Sequence, residues 1–148
     1  MKCPACAEDL RELKVAGLAV DVCDGPCGGI WFAHFEINKV DEAHAALTAA
    51  LLALPFNPQA VVVPNRRACP RCVEVVMMQH KFRPDKPVVV DECPNCGGLW
   101  LDGGELAEIR RDAPTAEDRK KAGQQFLSQL FNQELAQLKA RRAAPPGN

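Results

Sequence analysis

The chain states one four-cysteine frame twice, and that repetition restricts its fold more than any other feature. Cys3-Pro4-Ala5-Cys6 precedes Cys23-Asp24-Gly25-Pro26-Cys27-Gly28-Gly29-Ile30-Trp31-Phe32, and Cys69-Pro70-Arg71-Cys72 precedes Cys93-Pro94-Asn95-Cys96-Gly97-Gly98-Leu99-Trp100-Leu101. Cys3 and Cys69 stand 66 residues apart, Cys27 and Cys96 69. The match runs on to Glu36-Ile37 against Glu105-Leu106. Two thiols two residues apart grip one metal ion from a single tight turn, and a second pair carried beside them by a hairpin closes a tetrahedron. The glycines behind the later pairs admit positive φ and let amide hydrogens approach the sulfurs. Each copy therefore predicts a knuckle, a hairpin, a second knuckle, a short strand and a helix.

Size explains why a metal is needed. The 148 residues divide into two units of about 35 to 50 residues plus helical extensions, and units that small bury too little apolar surface to fold on a core alone. Cys3 follows Met1 almost directly, with neither the charged nor the apolar region of a secretion signal. The expected location is therefore the cytoplasm, where thiols stay reduced and this cysteine usage means metal rather than disulfide. Zinc is the expected ion, two per chain, held by Cys3, Cys6, Cys23 and Cys27 and by Cys69, Cys72, Cys93 and Cys96. The most apolar stretch, residues 43–56, is shorter than the ~20 residues that cross a bilayer.

The net charge of −1 conceals an asymmetry. Residues 1–58 carry four Lys/Arg against eight Asp/Glu, and residues 59–148 carry fourteen against eleven. Neither part has the strongly basic balance of a typical nucleic-acid binder. Arg66, Arg67, Arg71, Lys81, Arg83 and Lys86 in the second copy read as a solvated face offsetting the thiolates, with a nucleic-acid face as the sharper alternative.

Leu10–Val15 and Leu18–Val22 read as two strands joined at Ala16-Gly17, and Val73–Phe82 and Val88–Glu92 as their counterparts. Ile37, Val40, His44, Leu47, Leu51 and Leu54 recur at steps of three and four and draw the stripe of an amphipathic helix ending at Pro55. A short helix should run from Gly104 to Asp112. Thr115-Ala116-Glu117-Asp118 resembles a capping box and opens a long helix to about Arg142. Phe126, Leu127, Leu130, Phe131, Leu135 and Leu138 give that helix an apolar side that must be covered.

The sequence Cys-Pro-x-Cys, hairpin, Cys-Pro-x-Cys-Gly-Gly-Leu-Trp-Leu-Asp-x-Gly-Glu-Leu, met almost residue for residue between Cys69 and Ile109, resembles the zinc-finger family related to the zinc ribbon of transcription factor IIB. The first copy departs from it: Cys23 and Cys27 enclose three residues, and Ala33-His34 replace Asp-Gly. His34 is thus a candidate to replace Cys23 or Cys27, and the wider turn predicts a more labile first site. The resemblance implies a small metal-stabilised α+β fold of two zinc ribbons, each a short antiparallel three-stranded sheet followed by a helix. The expected division is a first ribbon over 1–35, an amphipathic helix over 36–54, a linker over 55–67, a second ribbon over 68–104, a short helix over 105–112 and a C-terminal helix over 115–142.

Four thiolates leave zinc no open position for water or substrate, and His34, His44 and His80 are scattered, so the chain does not read as an enzyme. It reads as an interaction module for protein or nucleic acid, with transcription as one setting. Self-association or an unidentified protein partner engaging the C-terminal helix is the expected contact. A redox- or zinc-responsive switch is the alternative.

Overall fold

A computed structural model describes residues 1–40, 44–85, 87–111 and 116–143, including all their side chains but those of 116–123 and 143. Lys86, Asp112 and Thr115 of the sequence reading lie outside the described residues. The chain divides into two units, Met1–Asp112 and Ala113–Asn148.

The first unit is built on one sheet. Strands β1 (Leu10–Val15), β2 (Leu18–Cys23), β3 (Ile30–Phe32), β4 (Met78–Lys81), β5 (Val89–Glu92) and β6 (Leu99–Leu101) lie in the order β1-β2-β3-β6-β5-β4, each pair of neighbours antiparallel. The expectation of two separate three-stranded sheets is therefore corrected. The third strand of each ribbon pairs with its counterpart, Ile30 opposite Leu101, Trp31 opposite Trp100 and Phe32 opposite Leu99. All three residues of β3 are buried, as are Trp100 and Leu101. A lone ribbon would leave this apolar strand as an open edge, and mutual pairing removes both edges at once.

Alternation along β3 and β6 separates two cores. Ile30, Phe32 and Leu101 point to one face with Val20, Val22 and Val90, where the helices pack. Trp31 and Trp100 point to the other, among the cysteines. On the helix face, the 36–54 stripe is divided between a 3-10 turn, Glu36–Lys39, and α1, Ala45–Leu52. Phe35 at φ 67° and His44 at φ −116°, ψ 42° lie outside the helical region at the start of each piece. Leu47, Thr48 and Leu51 are buried. Helix α2, Glu105–Arg110, buries Leu106, and Arg110 Nη1 donates to the carbonyl of Val40 at 2.8 Å.

The hairpin of the second ribbon is shorter than its sequence suggests. Backbone groups near Val73 are committed to the first knuckle, with Cys69 N–H donating to Val75 O and Met77 N–H to Arg67 O, so the regular ladder begins at Met78.

The second unit contains α3, Ala116–Ala143. Its apolar residues Phe126, Leu127, Leu130, Phe131, Leu135 and Leu138 are all exposed. Among the described residues no helix is long and apolar enough to cross a membrane.

Candidate metal centres

Four knuckles share one local geometry. The residue after the second cysteine of each pair, Ala7, Gly28, Val73 and Gly97, has φ of 64°, 66°, 54° and 68°. In three of them its amide or the chain beside it returns to the first cysteine: Ala7 N–H donates to Cys3 O at 3.0 Å, Val73 N–H to Cys69 O at 2.8 Å and Gly97 N–H to Cys93 O at 2.9 Å. In the wider turn, Gly25 N–H donates to Cys23 Sγ at 3.3 Å, so the extra residue bends around the sulfur instead of displacing it.

The fold brings Cys3, Cys6, Cys23 and Cys27 into one cluster and Cys69, Cys72, Cys93 and Cys96 into another, with the sulfurs of each cluster all within 4.8 Å of one another. Cys3 and Cys27 sulfurs are 3.6 Å apart, Cys6 and Cys23 3.4 Å, and Cys69 and Cys96 3.7 Å. Tetrahedral zinc with bonds of about 2.3 Å needs sulfur separations of about 3.8 Å, and the sulfur pairs at 3.4 to 3.7 Å lie close to that spacing. The sulfurs also receive donors suited to thiolates: Ala5 N–H to Cys3 at 3.4 Å, Cys72 N–H to Cys69 at 3.3 Å and Asn95 Nδ2 to Cys72 at 3.3 Å.

The electrostatics point the same way. The neighbouring Cys27 sulfur, then burial, pushes the Cys3 thiol far above its ordinary range. Burial first pushes Cys23 and Cys69 up to about 12. Burial acts on Cys93 too, but the amides of Cys96 and Asn95 and the adjoining sulfurs outweigh it and bring that thiol to about 7. Crowded thiols retain protons because several negative charges cannot share one small volume, and a divalent cation that replaces those protons removes the conflict.

The transcription factor zinc-finger family, of the transcription factor IIB zinc-ribbon type, matches residues 2–43 and 68–111, more than half of the chain. The chain belongs to this family. It carries the zinc ribbon twice, and two four-cysteine sites with this membership make it a zinc-binding module. No curated protein and no solved structure matches the chain.

Within the paired ribbons, His34 takes no place in the first cluster. Its Nδ1–H donates to Gly97 O at 3.2 Å, over the last knuckle of the second ribbon. His44 precedes α1, and His80 lies 2.6 Å from Glu92 on the β4–β5 hairpin. The reading of Arg67 as a surface cation is corrected, because its side chain is 3% exposed. Nε donates to Val63 O at 2.6 Å, and Nη1 donates to Asp91 Oδ2 at 3.2 Å and Asp102 Oδ1 at 2.7 Å. Trp100 Nε1–H donates to the same Asp102 oxygen at 3.0 Å. Burial raises the Asp91 carboxyl above the usual range, and Arg67 opposes that shift. Sequence reasoning missed this network, because nothing in the local pattern separates Arg67 from its neighbour Arg66.

Proposed function

We propose that the chain carries two structural zinc ions, one in each four-cysteine cluster, and uses the paired ribbons as a rigid carrier for an interaction helix, α3. The observation that carries this reading is the exposed stripe of α3, in which Phe126, Leu127 and Phe131 are each more than 60% exposed. Six large side chains left in water forgo roughly 1.5 to 3 kcal/mol each relative to full burial, so a covering partner is favoured. A second helix, from another protein or another copy of this chain, suits a stripe of this length.

A protein partner accounts for the surface better than nucleic acid does. Arg67 is withdrawn from the basic set by burial, and Arg83 is paired with Asp85 at 3.0 Å. The four thiolates of each site would fill zinc's tetrahedron, which suits a structural ion. We read the chain as a non-enzymatic module acting in the cytoplasm, where its thiols would stay reduced.

The test replaces Leu130 and Phe131 by Glu in the full-length chain. Zinc content and sheet signature should be unchanged while self-association in light scattering, or capture of a protein partner, is lost. A variant that associates as the parent does would refute the role of the helix.

A further inference from the structure

We propose that the two metal sites are one cooperative unit, filled and emptied together because each ribbon seats its tryptophan on the other ribbon's last knuckle. The inference rests on the zinc reading above and concerns how the sites communicate.

Trp31 follows Cys27 in the first ribbon, yet its ring lies on Gly98, two residues past Cys96 of the second site. A methyl group on Gly98 would lie 2.1 Å from Trp31 Cζ2. The reciprocal contact is equally close: a methyl on Gly29, two residues past Cys27, would lie 2.0 Å from Trp100 Cζ2. Both indoles, with Trp31 and Trp100 at 1% and 0% exposure, belong to one buried cluster that also contains Cys3, Cys23, Cys27, Cys69 and Cys93. The strand tails repeat the exchange. His34 reaches Gly97, and a methyl on Gly103 would lie 2.3 Å from Cys27 O.

These contacts define a route for coupling. Ligation of Cys23 and Cys27 would hold the turn from Cys23 to Gly29 closed, and with it the seat of Trp100 on Gly29. Trp100 lies in β6, directly beyond the turn from Cys93 to Gly98, so seating it orders the last two ligands of the second site. The same route runs in reverse through Trp31 and Gly98. Binding at either site then removes part of the ordering cost at the other, which is positive cooperativity, and it must be reciprocal. The wider Cys23–Cys27 turn would not then act as an independent early-release site, because its knuckle holds a ring from the second ribbon.

The experiment titrates the reduced, metal-free full-length chain with Co²⁺, following thiolate-to-cobalt absorption and counting bound ions by native mass spectrometry. At one ion per chain, metal-free and two-metal chains should predominate. Trp100→Phe keeps all eight ligands and should let one-metal chains accumulate. In a separate arm, Cys93→Ser with Cys96→Ser should weaken Co²⁺ binding at the intact first site by roughly 5- to 150-fold, the ordinary range of coupling between sites. Predominant one-metal chains in the parent protein, or an intact site whose affinity does not change, would overturn the coupling alone. A chain that binds no Co²⁺ would overturn the zinc reading and the coupling with it.

Discussion

Nη1 of Arg67 lies 2.7 Å from Oδ1 of Asp102, an oxygen that also accepts the indole N–H of Trp100. The buried cation thus holds the tail of β6 and, through Asp91 and Val63 O, ties β5 and the preceding linker to it. Arg67→Met should destabilise the ribbon pair by ~3 to 5 kcal/mol, because it leaves Asp91 without its buried countercharge. Denaturant unfolding at saturating zinc measures this, and a loss below about 1 kcal/mol would mean that the network is not a structural tie.

Truncating Trp100 should be costly in both ribbons. Trp100→Ala opens a cavity at a fully buried position, and its cost should be ~3 to 5 kcal/mol with zinc saturated. Gly29→Ala should destabilise as well, since the added methyl would meet the ring that Gly29 now receives. Thermal unfolding of the two variants checks this, and an unchanged midpoint for Gly29→Ala would contradict the close seat.

Val73 presents a different kind of strain. It is β-branched, 69% exposed, and held at φ 54°, where Gly28 and Gly97 stand in the equivalent turns. Val73→Gly should raise stability by about 1 kcal/mol, the low end of the cost of a strained residue, because little packing is lost. A lower melting point would assign the exposed side chain a structural contact.

The two four-cysteine clusters were legible because their information is local: spacing, Pro and Gly within a few residues specify each knuckle. The joined sheet depends on a contact between segments 69 residues apart and was less accessible. Its signals were present. Ile30-Trp31-Phe32 and Leu99-Trp100-Leu101 are apolar at every position, as suits a strand buried on both faces. Gly29 and Gly98 mark close approach of another group. Phe56 read as linker, yet a methyl on Gly28 would lie 2.4 Å from its Cβ and one on Gly103 equally close, so it caps the first ribbon's last knuckle. No sequence period announces such a contact.

Glu105 supplies a pH dependence. Its carboxylate accepts the amide of Asp102 at 2.7 Å, but burial, with added repulsion from Asp102, raises its pKa to about 7 from 4.5. The folded chain therefore holds this proton more tightly than the unfolded one. Its contribution is greatest below pH 4.5 and is lost as pH rises to about 7. Glu105→Gln should gain stability relative to the parent between pH 5.5 and pH 8, a comparison in which the shared thiol titration cancels. A constant difference across that ~2.5-unit range would show that Glu105 titrates alike in both states.

If the duplicated frame makes two zinc sites on one sheet, both should be filled in the protein as purified. Elemental analysis of the full-length chain, purified without added metal, tests it most directly. Two zinc ions per chain are expected, with loss of the β-sheet signature when a chelator removes them; one zinc or none, or iron in its place, would contradict two zinc sites.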